Sequence, residues 1–181
     1  MWYVMQVGAG NEAHMKELLE NFLPQELISH IFYPLYESSY KKGGIRRIVR
    51  RPLFPGYLFL ESTQSEAVDV PKQSENLKEL EKYLKGITEF NHLLSAGKVC
   101  IPVSVQEQEF LTRHTDRGHV MVMSRGYMTG RQVTVTEGAF AGYRGELKYV
   151  DRHNQYGVME VQLGEKKMDM QFGLEIAEKA V

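Results

Sequence analysis

Apolar positions along the chain change period several times, and each change marks an element. Trp2 to Val7 is rich in aromatic and β-branched residues and ends at Gly8, Gly10 and Asn11, the pattern of a strand followed by a turn. Met15, Leu18, Leu19 and Phe22 then fall at i, i+3, i+4 and i+7, with Asn11 placed as an N-cap and Pro24 as a stop, which predicts an amphipathic helix. Ile28 to Tyr40 and Ile45 to Glu61 both read as extended, and KKGG at Lys41 to Gly44 between them is a hairpin tip, so a long β-ribbon is expected. A polar stretch from Ser62 to Ser74 precedes a second helix that turns Leu77, Leu80 and Leu84 inward and ends at Gly86; Ile87 to Phe90 reads as a further strand. In PVSVQEQEF, Ser104 and Glu107 form a capping box behind Pro102. Phe110 and Leu111 begin the apolar stripe of a third helix that runs to about Thr115.

From Arg131 the period becomes 2 throughout. RQVTVTE, GELKYVD, YGVMEVQL, KKMDMQF and LEIA are separated by glycine-containing or polar turns and predict five short strands, enough for a small barrel. The alternation turns Val133, Val135, Leu147, Tyr149, Met159, Val161, Met168 and Met170 inward, with the methionines as core fillers. Between the two patterns, DRGHVMVMSRGYMTG has three glycines and no clear period, although its VMVM is apolar enough to pack. The expected organisation is an α+β domain over residues 1–116, an antiparallel sheet flanked by helices, then a linker over 117–130 and a small all-β barrel over 131–181.

Composition narrows the function classes. The chain has 181 residues, 43% of them hydrophobic and 25% charged, which is enough to bury a core. A net charge of −1 argues against coating nucleic acid through overall charge, so any such contact is local. The single cysteine, Cys100, permits no internal disulfide and reads as a small buried hydrophobe. The first residues lack a basic, then apolar, leader pattern, and no run of 18 apolar residues occurs; a cytoplasmic protein without a membrane span is expected. The six histidines include no HExxH or close histidine and cysteine set, and no GxSxG, P-loop or kinase signature is present. The chain is therefore read as having no catalytic residues, metal site or cofactor. His114 and His119 flank the end of the third helix, where a hydrogen-bonded or solvated role is expected.

Two places carry interaction chemistry. In PLFPGYLFLE, period 2 puts Tyr57 and Phe59 on one face of a strand and Leu58 and Leu60 on the other, so both faces are apolar. Three helices suffice for one face, which leaves the second as a docking surface, enlarged by Trp2, Tyr3, Met5, Phe32, Tyr33 and Tyr36, or as plain core. The other place is KKGGIRRIVRR, where Lys41, Lys42, Arg46, Arg47, Arg50 and Arg51 occur without one acid. It is either a solvated hairpin or an arm near DNA or RNA, and its two faces divide these cations between them.

WYVMQV, a helix, a basic hairpin and RRPLFPGYLFLE, in that order, resemble the N-terminal (NGN) domain of the NusG family of transcription elongation factors. The resemblance implies that Tyr57 and Phe59, with Trp2, Val4 and Phe54, bind RNA polymerase. The polymerase contact is the clamp helices of the β′ subunit, with the β gate loop as a second one. It also implies that Lys41, Lys42, Arg46 and Arg47 lie near nucleic acid, including DNA of the elongation complex. EGAFAGYRG places Gly138, Gly142 and Gly145 around a turn between strands and Phe140 at the barrel end; with RQVTVTEG before it and ELKYVD after it, it resembles the KOW motif carried on SH3-like barrels.

Within that family, SRGYMTGRQVTVTEG, DRH at Asp151 to His153 and GLEI at Gly173 to Ile176 resemble the LoaP-type antiterminators, which implies recognition of an RNA hairpin in a nascent leader transcript by the KOW domain. The residues available for it are Arg144, Lys148, Arg152, His153, Asn154, Gln155, Lys166 and Lys167. Acids balance bases over this barrel, so an evenly solvated surface is the competing expectation. The alternatives are a general NusG-type elongation and termination factor whose barrel meets Rho or the ribosome, and an RNA-binding module of the ribosome. A monomer is expected in each case.

Overall fold

The computed structural model describes residues 1–63, 70–85, 100–163 and 166–177. They fall into two compact units: Met1–Tyr33 with Pro55–Val105, and Pro34–Phe54 with Gln106–Val181. The architecture is α+β. In chain order the elements are β1 (Trp2–Gln6), α1 (Glu12–Phe22), β2 (Ile28–Phe32), β3 (Leu35–Lys42), β4 (Ile45–Pro52), β5 (Tyr57–Ser62), α2 (Val70–Lys85) and β6 (Ile101–Pro102). They continue with α3 (Val105–His114), β7 (Val120–Met121), β8 (Ser124–Thr129), β9 (Gln132–Glu137), β10 (Arg144–Glu146), β11 (Tyr149–Asp151), β12 (Tyr156–Leu163) and β13 (Lys166–Ile176).

The first unit holds a four-stranded sheet in the order β2-β5-β1-β6, with antiparallel neighbours. Val4 lies opposite Phe59 and Met5 opposite Leu58, so the period-2 reading of both strands is met. One face carries Tyr3, Met5, Val7, Leu58 and Leu60, packed with Met15 and Leu19 of α1 and Leu80 and Leu84 of α2. Phe22 departs from the expected stripe: it is 63% exposed, and Leu23, which follows it at the C-cap, is buried in the core instead. Asn11 makes no side-chain cap to α1. Cys100 is buried in the same core, and its thiol is pushed far up by burial and then by Glu81. The side chain of Leu77, Gly86 and the strand expected over Ile87 to Phe90 lie outside the described residues and side chains.

The long ribbon divides. Pro34, and the run Pro52, Leu53, Phe54, Pro55 and Gly56, interrupt each extended stretch, since proline donates no ladder hydrogen bond and Gly56 has φ of +83°. β2 and β5 belong to the first unit, while β3 and β4 form a hairpin in the second and pair with β7 in the order β4-β3-β7. Gly43 and Gly44, both at positive φ, make its two-residue tip between Lys42 and Ile45.

The remaining strands form a six-stranded sheet in the order β10-β9-β8-β13-β12-β11. Six strands laid flat would separate the edges by about 24 Å. Leu147 and Lys148 alone join β10 to β11, so the sheet must curl. The expected strands are partly redistributed: GELKYVD divides at Leu147 and Lys148 into β10 and β11, and KKMDMQF runs through Gly173 into LEIA as β13. Residues 117–130, expected as a linker, contain β7 and β8, and β8 pairs with both β9 and β13. Val133, Val135 and Met170 are buried, and Leu147, Met159, Val161 and Met168 partly so. Tyr149 is not inward as expected: it is 53% exposed, because the alternation does not survive the break at Leu147 and Lys148.

Candidate protein- and nucleic-acid-binding surfaces

The second face of the first unit's sheet is aromatic. Trp2 meets Phe32 edge-on at 5.0 Å, Phe32 stacks on Phe59 at 5.5 Å, and Trp2 lies 6.4 Å from Phe59. The indole N–H of Trp2 donates to Glu61 Oε1 at 3.2 Å, which fixes the ring. Of the two expectations for this face, docking surface or plain core, burial favours the second for most of its residues: Phe59 is 0% exposed, and Trp2, Val4 and Phe32 are buried too. Tyr57, two residues before Phe59, is partly exposed. Phe54 is buried in the second unit, where it lines a cavity of about 270 Å³ with Phe110, Leu111, Val161 and Leu163.

The cations of the β3–β4 hairpin behave differently. Cross-strand register puts Lys41, Arg46 and Arg50 on one face and Lys42, Arg47 and Arg51 on the other. All six are exposed, and among the described residues none has a carboxylate within 4.0 Å. Arg46 donates to Ser39 Oγ at 3.1 Å and to the carbonyl of His153 at 3.5 Å, so the hairpin reaches the turn between β11 and β12.

On the curled sheet several expected RNA contacts already have partners. Lys148 Nζ lies 2.6 Å and 2.7 Å from the two Asp169 oxygens, and Lys167 Nζ lies 2.9 Å from Glu160. Arg152 points a guanidinium N–H at Met128 Sδ, 3.6 Å away. Asn154 donates from its backbone and its amide to Asp151, and these bonds hold the Asp151 carboxyl below its ordinary range. Gln155 takes φ of +56° in the same tight turn. Arg144 and Lys166 are exposed. The residues thus divide: Arg152, His153, Asn154 and Gln155 share one turn, while Arg144, Lys166 and Lys167 stand on other strands.

His114 serves packing. Its Nδ1 is 2.7 Å from the Ala139 carbonyl and its ring stacks on Phe140 at 4.4 Å; Phe140 in turn contacts Phe172 at 4.4 Å, at the end of the curled sheet. Among the described residues no group of histidine, cysteine or carboxylate side chains could hold a metal ion. No described helix is long and apolar enough to cross a membrane.

The expectations from sequence passed over Tyr156 and turned Tyr149 inward. The two rings lie 5.9 Å apart on the outer face of β11 and β12. A tyrosine directly after a two-residue strand break, and a second just past the DRHNQ turn, are the signals that would have found them.

Residues 1–113 match the family described as transcription termination factor NusG, and residues 129–161 match the KOW motif. The transcription termination/antitermination protein NusG of Treponema pallidum is 28% identical over 160 residues, covering 82% of each chain. Its counterpart from Thermus thermophilus is 27% identical over 158 residues, covering 83% of this chain and 82% of the relative. A solved structure on domain interaction in Thermotoga maritima NusG aligns with a TM-score of 0.47 at 18% identity, covering 95% of this chain and 92% of that one.

Proposed function

Because the chain belongs to the NusG family of transcription factors, matched over residues 1–113, we propose that it is an operon-specific elongation and antitermination factor. In this reading the N-terminal region binds RNA polymerase at the β′ clamp helices, and the KOW region and basic hairpin hold an RNA hairpin in the nascent leader. The observation that carries the RNA assignment is the hairpin of six exposed cations that have no carboxylate partner among the described residues, attached to the KOW sheet through Arg46 and His153. An ion-paired lysine gives up its carboxylate before it reaches a phosphate, whereas these cations have no such partner among the described residues to leave, Arg46 being hydrogen-bonded to Ser39 and the His153 carbonyl instead.

Polymerase docking falls on Tyr57 first, since it is the partly exposed member of the set; Phe59, Trp2 and Val4 have to be uncovered before a partner can touch them. Once docked, the protein holds its RNA site close to the emerging transcript, and a modest RNA affinity gains from the effective concentration.

A second reading has an observation of its own. The pairing of Lys148 with Asp169 and Lys167 with Glu160 leaves this part of the KOW surface electrically balanced, which suits a protein partner such as Rho or the ribosome in a general NusG-type factor. Transcript profiling of a strain lacking the gene separates the readings. Loss of distal transcripts confined to one long operon supports the operon-specific role, and a genome-wide change in elongation or termination supports the general one.

A further inference from the structure

We infer that Tyr149 and Tyr156 form a stacking step for unpaired bases of single-stranded RNA, with Arg47 and Arg51 of the neighbouring hairpin face holding the flanking phosphates. The inference rests on the RNA-binding reading above and adds to it the part of the RNA that is recognised.

Register places both tyrosines on the outer face: Tyr149 pairs with Val158 and Asp151 with Tyr156, and directly opposed residues share a side. Tyr149 is 53% exposed, among the most exposed large apolar side chains described, and its ring is tilted 43° against that of Tyr156. The exposed Tyr149 ring, backed by the partly buried Tyr156, offers a base a face to stack on, and every base has a π-face to match.

The hairpin supplies the charge. Tyr36 and Arg51 are directly opposed on β3 and β4, and the buried Tyr36 hydroxyl has Arg51, Tyr156 and Gln171 as neighbours. Gln171 pairs with Val158 on the outer face, so the end of the hairpin that carries Tyr36 and Arg51 approaches the face that carries Tyr156. Arg47 lies two positions further along the same hairpin face as Val49 and Arg51. Arg46, on the opposite face, anchors the hairpin to the turn between the two tyrosines' strands. An exposed aromatic near arginines that have no carboxylate partner among the described residues favours a single-stranded polyanion over a protein, whose acidic groups would not use the rings.

The test is fluorescence anisotropy with the full chain and three probes: oligouridylate RNA of about ten nucleotides, DNA of matching sequence, and a blunt RNA duplex of about sixteen base pairs. Tyr149→Ala should weaken single-stranded RNA binding roughly five- to a hundredfold, Tyr149→Phe should keep it within about twofold, and both should leave duplex binding unchanged. Arg47→Glu with Arg51→Glu should weaken both RNA probes. Unchanged affinity of Tyr149→Ala for the single strand overturns the inference, as does an equal loss in Tyr149→Phe, which would assign the effect to the hydroxyl. Tighter binding of the DNA overturns the assignment to RNA. A wild-type protein that binds the duplex but not the single strand overturns stacking and leaves the RNA-binding reading intact; binding of neither RNA removes both. Circular dichroism of each variant checks that an exposed substitution has left the fold in place.

Discussion

The Glu12 carboxylate accepts a hydrogen bond from the Gly56 backbone N–H at 2.6 Å, joining the first turn of α1 to the loop before β5. Glu12 is only 4% exposed. Burial alone would raise its carboxyl, but the N–H groups of Gly56, Glu12 and Gly10 outweigh burial and hold it below the ordinary carboxylate value. Gly56 carries φ of +83° and its carbonyl accepts from Val7 at 2.7 Å, so this loop is held at both of its polar groups.

Glu12→Ala should therefore destabilise the first unit by about 1.5–3 kcal/mol, the usual range for a hydrogen bond to a charged group. The pH dependence has a definite sign. The folded value is depressed, so the contribution is complete above the unfolded carboxyl value and is lost as pH falls through the folded one. The difference in melting temperature between wild type and variant should be largest at neutral pH and shrink in acid. A difference that stays constant into acid would show that the charge of Glu12 contributes nothing.

Phe59 and Tyr57 should separate stability from docking. With Phe59 fully buried against Phe32 and Trp2, Phe59→Ala should cost about 3–5 kcal/mol, so lost polymerase binding in that variant would report unfolding. Tyr57→Ala removes a partly exposed ring opposite Gln6 and should leave the melting temperature within a few degrees while reducing capture of RNA polymerase in a pull-down. Undiminished capture by folded Tyr57→Ala places the docking surface elsewhere.

The hairpin and the curled sheet should respond unequally to charge reversal. Arg47→Glu with Arg50→Glu should lower RNA affinity and reduce the salt slope by about two counterions, since both side chains are exposed and have no carboxylate partner among the described residues. Lys148→Glu should act less on RNA, because Asp169 already holds that ammonium at 2.6 Å; its larger effect is the new repulsion against Asp169 on β13. Titration of a stem-loop RNA at several salt concentrations compares the two directly. A greater loss from Lys148→Glu than from the hairpin pair would move the RNA site onto the sheet.

Much of the fold was legible because local rules and tertiary packing agree there. The two faces of β1 and β5, the inward residues of α1 up to Leu19, the glycine tip and the start of α3 just after Ser104 all follow from periodicity and turn chemistry. What was not legible depended on partners distant in sequence. Period 2 places Phe59 on the second face beside Phe32 and Trp2, but whether that face is covered or open is decided by the folded chain and not by the alternation. The pairing of Lys148 with Asp169 joins residues 21 positions apart, and charge counting sees two balanced ions without placing them. Tyr149 was misassigned because a two-residue break resets an alternation that no single residue announces.

Gly173 gives the last prediction, since it sits in the middle of an extended strand where glycine is ordinarily costly. A Cβ there would collide with the carbonyl of Glu37 on β3 and with Met123 Sδ. The same Glu37 accepts the Met123 backbone N–H at 3.0 Å through its carboxylate, so hairpin, β13 and the residue before β8 meet at one point. The Cβ-free surface of β13 is thus what lets β3 pack closely enough for Arg46 to reach His153. Gly173→Ala should push β3 away at a cost of about 1–3 kcal/mol. The effect should be read first as faster amide exchange over Leu35–Lys42 and then as weaker RNA binding, because the hairpin cations lose their fixed position beside Tyr156. Unaltered exchange in β3 together with unaltered stability would mean that the strand yields without cost, and that the contact at Gly173 does not position the hairpin.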